Sequence, residues 1–211
     1  MKIQYFGHSC FVLTSNSGTS VITDPFTRVG YELPKGLVAD VATISHPHFD
    51  HNYTQAIACE KIVNEVGVFY FNDVEILGVH SYHDSQKGVL RGENVIFKIK
   101  MDGLTFCHLG DLGEECNAEL IAKIGHVDVL LIPVGGTYTI DAPQAMKYIE
   151  SLRPILTIPM HYKPVDGSLD ITGVEPFLGL CSLQNIEHIV GSVDLDISKH
   201  VKPILYMERM K

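Results

Sequence analysis

Ser45-His46-Pro47-His48-Phe49-Asp50-His51 decides the reading of this chain. Three histidines and one aspartate fall within six consecutive positions. Imidazole nitrogen and carboxylate oxygen are the ligands of zinc and other late first-row divalent metals. The preceding Val41-Ala42-Thr43-Ile44 reads as a buried strand. Continued alternation along it would point His46 and His48 the same way, and Pro47 favours an extended His46. Asp50 and His51 then fall where the chain turns away and can face a second point. One pair followed by another pair suggests two adjacent metals.

Working outward, candidate partners for this motif sit at the ends of later strands, beside glycine or proline. His83 follows Val74–Val79, Asp111 follows Leu104–Leu109, and His161 follows Ile155–Pro159. Such residues lie on loops that a rigid sheet can hold together. They would give each metal at least three protein ligands and leave a position for water. His80, three residues before His83, competes with it for the same role.

The rest of the chain reads as many strands and few helices, then strands alternating with helices. Ile3–Phe6, Phe11–Thr14, Ser20–Thr23, Val38–Ile44, Lys61–Val63 and Val68–Phe71 are strand-like. Residues 27–36 form a loop, and Tyr53–Glu60 is expected to make one or two helical turns. Asp102-Gly103 is a strong hairpin signal between Val95–Met101 and Leu104–Leu109. Asn117 is expected to cap one helix, and Asp141 with Gln144 a second whose apolar face is Ala142, Met146, Ile149 and Leu152. Thr172 with Glu175 suggests a third cap. Val127–Val134 and Ile155–Pro159 are apolar throughout, as strands covered on both faces are. Helices outside apolar sheets imply an α/β (α+β) fold, a layered αββα or related sandwich.

Composition bounds the function. A chain of 211 residues, 45% hydrophobic and 19% charged, is expected to form one domain over 1–211. A net charge of −9 opposes general nucleic-acid binding. No apolar run has the length of a membrane span, and the N-terminus lacks a signal-peptide pattern. Cys10, Cys59, Cys107, Cys116 and Cys181 are odd in number and scattered, which favours reduced thiols and a cytoplasmic location.

The ordered set His46-x-His48-x-Asp50-His51, His83, Gly110-Asp111 and His161 resembles that of the metallo-β-lactamase fold superfamily over nearly the whole chain. Gly7-His8-Ser9, Asp24-Pro25-Phe26, His83-Asp84, Arg91-Gly92-Glu93-Asn94, His108 to Gly113, Pro133 to Gly136 and Ile158 to Tyr162 resemble its compact branch. That branch holds ascorbate-6-phosphate lactonase-like and other zinc-dependent hydrolases. The resemblance implies a four-layer αββα sandwich and two divalent metal ions, zinc before manganese or iron. His46, His48 and His83 would bind the first, Asp50, His51 and His161 the second, with Asp111 bridging; Asp50 and Asp111 would also serve catalysis. A hydroxide between the metals would attack a lactone, ester, amide or phosphodiester bond of a small metabolite that can carry phosphate.

Further candidates surround this set. Asp24 resembles the buried aspartate that supports the ligand loop. Asp84 either orients His83 or faces solvent. His108 is a core histidine, a support or a substrate contact, and His8 is structural or part of the site. Tyr138, Arg91 and Lys163 are candidate substrate contacts, whereas His126, His188 and His200 read as surface residues. The expected partner is a small molecule, with no nucleic acid and no membrane; assembly into a homo-oligomer is left open. The competing functions are a nuclease of this fold, a non-catalytic metal-binding module and an oxygen-reducing diiron protein. The last would require a flavin domain for which the chain has no room.

Overall fold

The computed structural model describes residues 1–197, 199 and 202–210, so His200 lies outside the described residues. Two sheets face each other. The first is built from β1 (Lys2–Gly7), β2 (Cys10–Thr14), β3 (Ser20–Thr23), β4 (Leu37–Thr43), β5 (Ile57–Val63) and β13 (Ser192–Asp194), in the order β13-β1-β2-β3-β4-β5. The second contains β6 (Gly67–Phe71), β7 (Val74–Tyr82), β8 (Glu93–Met101), β9 (Leu104–His108), β10 (Val129–Pro133), β11 (Leu156–Met160), β12 (Ile186–Val190) and β14 (Ile204–Glu208). Its order is β12-β14-β11-β10-β9-β8-β7-β6. The main core lies between the sheets, where Phe11, Leu13, Phe97, Phe106 and Ile158 are fully enclosed.

Local chemistry explains the elements. Asp102 and Gly103 both have positive φ (51° and 77°), the geometry of the tight turn joining β8 and β9. Asn117 caps α1 (Ala118–Ile124) by accepting from the Leu120 N–H. Asp141 and Gln144 close a reciprocal capping box on α2 (Ala142–Leu152). The innermost face of α2 is Ala142, Ala145 and Tyr148; Met146, Ile149 and Leu152 are only partly buried beside it. β10 and β11 are buried at every position, as their unbroken apolar sequences imply.

Four local expectations are corrected. Only Thr54–Ala56 is helical in the 53–60 stretch, as a 3₁₀ turn; pairing with β4 starts β5 at Ile57, overriding a weak helical signal. Thr172 does not cap α3 (Glu175–Leu180), because both its N–H and its hydroxyl are donated to the Gly135 carbonyl. β7 continues through His80 to Tyr82, since Asn94 and Glu93 extend its partner strand. The strand before the motif stops at Thr43, so His46 and His48 do not alternate along it.

The layered α/β sandwich is as expected, rich in sheet and sparing in helix. α1 and α2 pack on the second sheet, and α3 on α2. On the outer side of the first sheet the cover is the loop after β3. Its Phe26, Val29 and Leu33 seal a smaller core with Val12, Ile22, Ala39 and Ala42. This arrangement brings the carboxyl ends of β1, β3 and β4 from one sheet opposite those of β7, β9 and β11 from the other. Among the described residues no helix is long and apolar enough to cross a membrane.

Candidate metal centre

Each of those six strand ends delivers one part of a cluster. β1 leads to His8, β3 to Asp24, β4 to His46–His51, β7 to His83, β9 to Asp111 and β11 to His161. After Thr43 the chain bends: Asp24 accepts from both the N–H (2.8 Å) and the hydroxyl (2.6 Å) of Ser45. A turn follows in which the His51 and Asn52 N–H groups both donate to the His48 carbonyl at 3.0 Å. His46 and His48 converge through this bend, their rings 4.6 Å apart and nearly perpendicular.

All seven residues named as ligands from the sequence are gathered here. His46, His48 and His83 present their ligand atoms within 4.8 Å of one another, and so do Asp50, His51 and His161 together with His8. Asp111 stands between the groups. Its Oδ1 is 3.1 Å from His51 Nε2, and its Oδ2 lies 3.2 Å from His83 Nε2, 3.2 Å from His161 Nε2 and 3.7 Å from His46 Nε2. His83 is buried in this cluster, whereas His80 is part-exposed and lies 3.4 Å from Glu93. His126 and His188 lie away from it, beside Asp128 and Glu208.

The hydrogen bonds around the cluster set which imidazole nitrogen points inward. The Ser45 hydroxyl gives its proton to Asp24, so its oxygen accepts from His46 Nδ1 (2.9 Å). His51 Nδ1 donates directly to Asp24 at 2.9 Å. His83 Nδ1 donates to the Tyr138 carbonyl at 3.1 Å. In all three rings the protonated nitrogen faces outward and Nε2 is left with a lone pair toward the centre, the arrangement metal-ligating histidines adopt. Asp24 thus supports both halves of the cluster.

Asp111 is placed by Asn94, Gly110 and His108. Asn94 accepts from the Asp111 N–H through Oδ1 (2.9 Å) and donates through Nδ2 to Ser81 and the Leu109 carbonyl. Gly110 has a φ of +56°, and a Cβ there would come within 2.4 Å of Asn94 Oδ1 and 2.6 Å of Ser45 Cβ. His108 is fully buried; its Nε2 donates to the Ser9 carbonyl at 2.8 Å and its Nδ1 accepts from the Gly110 N–H. It ties the two turns carrying His8 and Asp111 and touches no open space. Asp84 neither orients His83 nor faces solvent: it is buried and accepts from the backbone of Gln86, Gly88, Leu90 and Arg91, folding the loop after β7. Asn94 stands in the Arg91-Gly92-Glu93-Asn94 stretch that carries the family resemblance, but its role in placing Asp111 follows only from these hydrogen bonds.

Electrostatics favour a cation at the centre. Burial, with His51 adding to it, pushes His46 far below its ordinary pKa, so its imidazole is neutral. Burial and the nearby His161 lower His8 to about 4. Burial opposes ionisation of Asp111, but His161 and His51 outweigh it and hold the carboxyl well below its usual range. Burial likewise opposes charge on His51, yet Asp111 and Asp24 raise its pKa. Buried polar atoms are nearly always paired; here His46 Nε2, Asp111 Oδ1 and both ring nitrogens of His161 have no hydrogen-bond partner. Of these, His46 Nε2 and His161 Nε2 lie 3.7 and 3.2 Å from the Asp111 carboxylate, and neutral imidazoles with carboxylates suit zinc, manganese or iron. The donor set fits divalent metal.

At the solvent side, His48 and Phe49 are exposed, and the Tyr138 ring is partly exposed with the Arg91 guanidinium 5.4 Å from its centre. Lys163 lies on another side, lining a cavity of about 660 Å³ with Tyr31, Tyr162 and Arg209 that none of the cluster residues enters.

Comparison with known proteins agrees with this architecture. A metal-dependent hydrolase of the UPF0173 group from Carboxydothermus hydrogenoformans is 31% identical over 192 residues, covering 77% of this chain and 84% of that protein. The crystal structure of a candidate zinc-dependent hydrolase of the metallo-β-lactamase superfamily from Thermotoga maritima is 34% identical, superposes with a TM-score of 0.81 and covers 99% of both chains. The isothiocyanate hydrolase of a Delia radicum gut bacterium shares the fold at 14% identity, with a TM-score of 0.67 over 98% of this chain and 96% of that one. Residues 2–161 match the beta-lactamase superfamily domain, and the chain belongs to the metallo-β-lactamase superfamily.

Proposed function

We propose that this metal-dependent hydrolase works with two divalent metals, zinc foremost, on a small ester, lactone or phosphodiester. The observation that carries the reading is the position of Asp111, whose one carboxylate lies within 3.7 Å of histidines from both triads. A carboxylate shared in this way fits a bridge between two ions better than a single closed site. His46, His48 and His83 would hold the first metal, and Asp50, His51 and His161 the second. Bound metals would lower the pKa of a water and polarise the bond under attack.

The chain's own groups do the rest. Asp24 and Ser45 fix the ring orientation of His46 and His51, and the Tyr138 carbonyl that of His83. Asn94 and Gly110 hold the Asp111 carboxylate between the triads. The rim formed by Phe49, Tyr138 and Arg91 suits a compact substrate, and Arg91 suits a phosphate or carboxylate on it. A nucleic-acid substrate draws no support from a chain of net charge −9.

The test is elemental analysis of the metal-loaded protein, followed by lactone, ester and phosphodiester panels with His46→Ala and Asp111→Ala as controls. The expected outcome is two metal equivalents and hydrolysis that both substitutions abolish. Hydrolysis undiminished in both variants would reject the site.

A further inference from the structure

We infer that His8 is a protein ligand of the second metal, so that His8, Asp50, His51 and His161 enclose that ion beside the bridging Asp111. The inference rests on the metal reading above and adds to it a residue outside the seven. The geometry is specific. His8 Nε2 lies 3.1 Å from His51 Nε2 and 3.3 Å from Asp50 Oδ2, and the latter two atoms are 3.8 Å apart. Donors placed about 2.0–2.1 Å from a tetrahedral zinc stand roughly 3.3 Å from one another. The ligand atom of His161 completes the group within 4.8 Å of the other three.

The backbone around His8 is committed to this aim. Its φ is +52°, a left-handed conformation uncommon for a residue with a side chain. Two hydrogen bonds to its carbonyl hold it there, from the His161 N–H at 2.8 Å and the Tyr5 hydroxyl at 3.0 Å. The ring is 2% exposed and lies 4.2 Å from that of His161. His51 Nδ1 donates to Asp24, which turns its Nε2 toward His8. Two imidazole nitrogens 3.1 Å apart need a proton or a cation between them. The pairing of His8 with His161 through the backbone is informative here. The turn that positions one proposed ligand is built directly on the residue carrying another, so the two move together. With His8 added to Asp50, His51, His161 and the bridging Asp111, the second metal has five protein donors, and the solvent-facing position falls to the first, beside exposed His48.

Nuclear magnetic resonance of the intact protein, imidazole-labelled and loaded with a spin-active cadmium isotope, separates the alternatives. The expected result is direct metal–nitrogen coupling to six histidines: His46, His48, His51, His83, His161 and His8. Coupling to the first five without His8 would overturn the inference and leave the metal reading standing; no cadmium uptake would overturn both. His8→Asn keeps a residue that tolerates the left-handed backbone and cannot span the distance. In chelator competition it should weaken one of two metal equivalents more than about 100-fold, beyond the roughly 10–100-fold that loss of an outer support costs, and leave the other unchanged. Equal affinity for both equivalents in the variant and the parent would also overturn the assignment.

Discussion

The two halves of the cluster share Asp111 and Asp24 but differ in enclosure. His8, His51 and His161 are buried, with Asp50 only slightly exposed, whereas the other half combines buried His46 and His83 with exposed His48. Their supports differ too. The enclosed half is tied to the backbone of β1 and β11 and directly to the Asp24 carboxylate. The open half is held through one hydroxyl and one loop carbonyl. Under the proposed two-metal reading, the enclosed half would retain an ion and the open half would meet the substrate.

Asp111→Ala is expected to break the comparison outright, because it removes what the halves have in common. Hydrolysis should fall by on the order of a thousandfold or more, the few kcal/mol a metal contributes to a transition state. Metal content should fall in both halves, measured by elemental analysis after gel filtration. Retained activity with one metal equivalent would instead show that a single half suffices.

Gly110→Ala attacks the same carboxylate from its backbone. The added Cβ meets Asn94 Oδ1 and Ser45 in a left-handed conformation, so about 3 kcal/mol of destabilisation is expected. In a chain of this size that is a fall of roughly 6–12 °C in Tm. An unchanged melt would mean that the turn can relax and that Asn94 does not fix Asp111. Chelation provides the complementary measurement. Stripping the metal should lower Tm, since an ion bound only by the folded state at a thousand times its Kd contributes about 4 kcal/mol.

Asp24→Asn sharpens the comparison. Asp24 receives three donors, the Ser45 N–H, the Ser45 hydroxyl and His51 Nδ1. An amide has one oxygen and brings donors of its own, so at least one bond is lost. Metal affinity should fall about 10–100-fold, the usual effect of removing such a support. The enclosed half should suffer more, because His51 contacts Asp24 directly and His46 only through Ser45. Equal loss in both halves, read by stepwise metal titration, would contradict that ordering.

The legible part of this centre was the part carried by residue type. The motif at 46–51 packs ligands so densely that chemistry alone exposes it, and glycine or proline beside Asp111 and His161 marks the other strand ends. The backbone that gathers them was read less well. His46 and His48 converge through a bend at Ser45, and that bend depends on Asp24, distant in sequence. Asn94, Ser45 and His108 act through hydrogen bonds whose partners are set by tertiary packing, which no local pattern records. β12 and β13 drew no expectation because their short, half-exposed segments gain strand structure mainly from pairing, β13 with β1 and β12 with β14. The placement of Asp84 teaches the same point: a carboxylate beside a ligand suggests support for that ligand, but four backbone donors further along the loop compete for it successfully.

The finest contrast lies within three residues of one strand. His80 and His83 are alike in type and nearly adjacent, and sequence alone left both open. In the structure His83 leaves β7 and turns inward to Asp111, while His80 remains in the strand beside exposed Glu93. An exposed ion pair of that kind contributes about 0–1 kcal/mol. His80→Ala should therefore leave Tm within roughly 2–4 °C, metal content and hydrolysis near those of the parent. His83→Ala should lose metal from the open half and retain it in the enclosed half. The decisive outcome is the pair measured together: loss of metal in the His80 variant, with retention in the His83 variant, would move the ligand back into the strand and take the Tyr138 carbonyl's role with it.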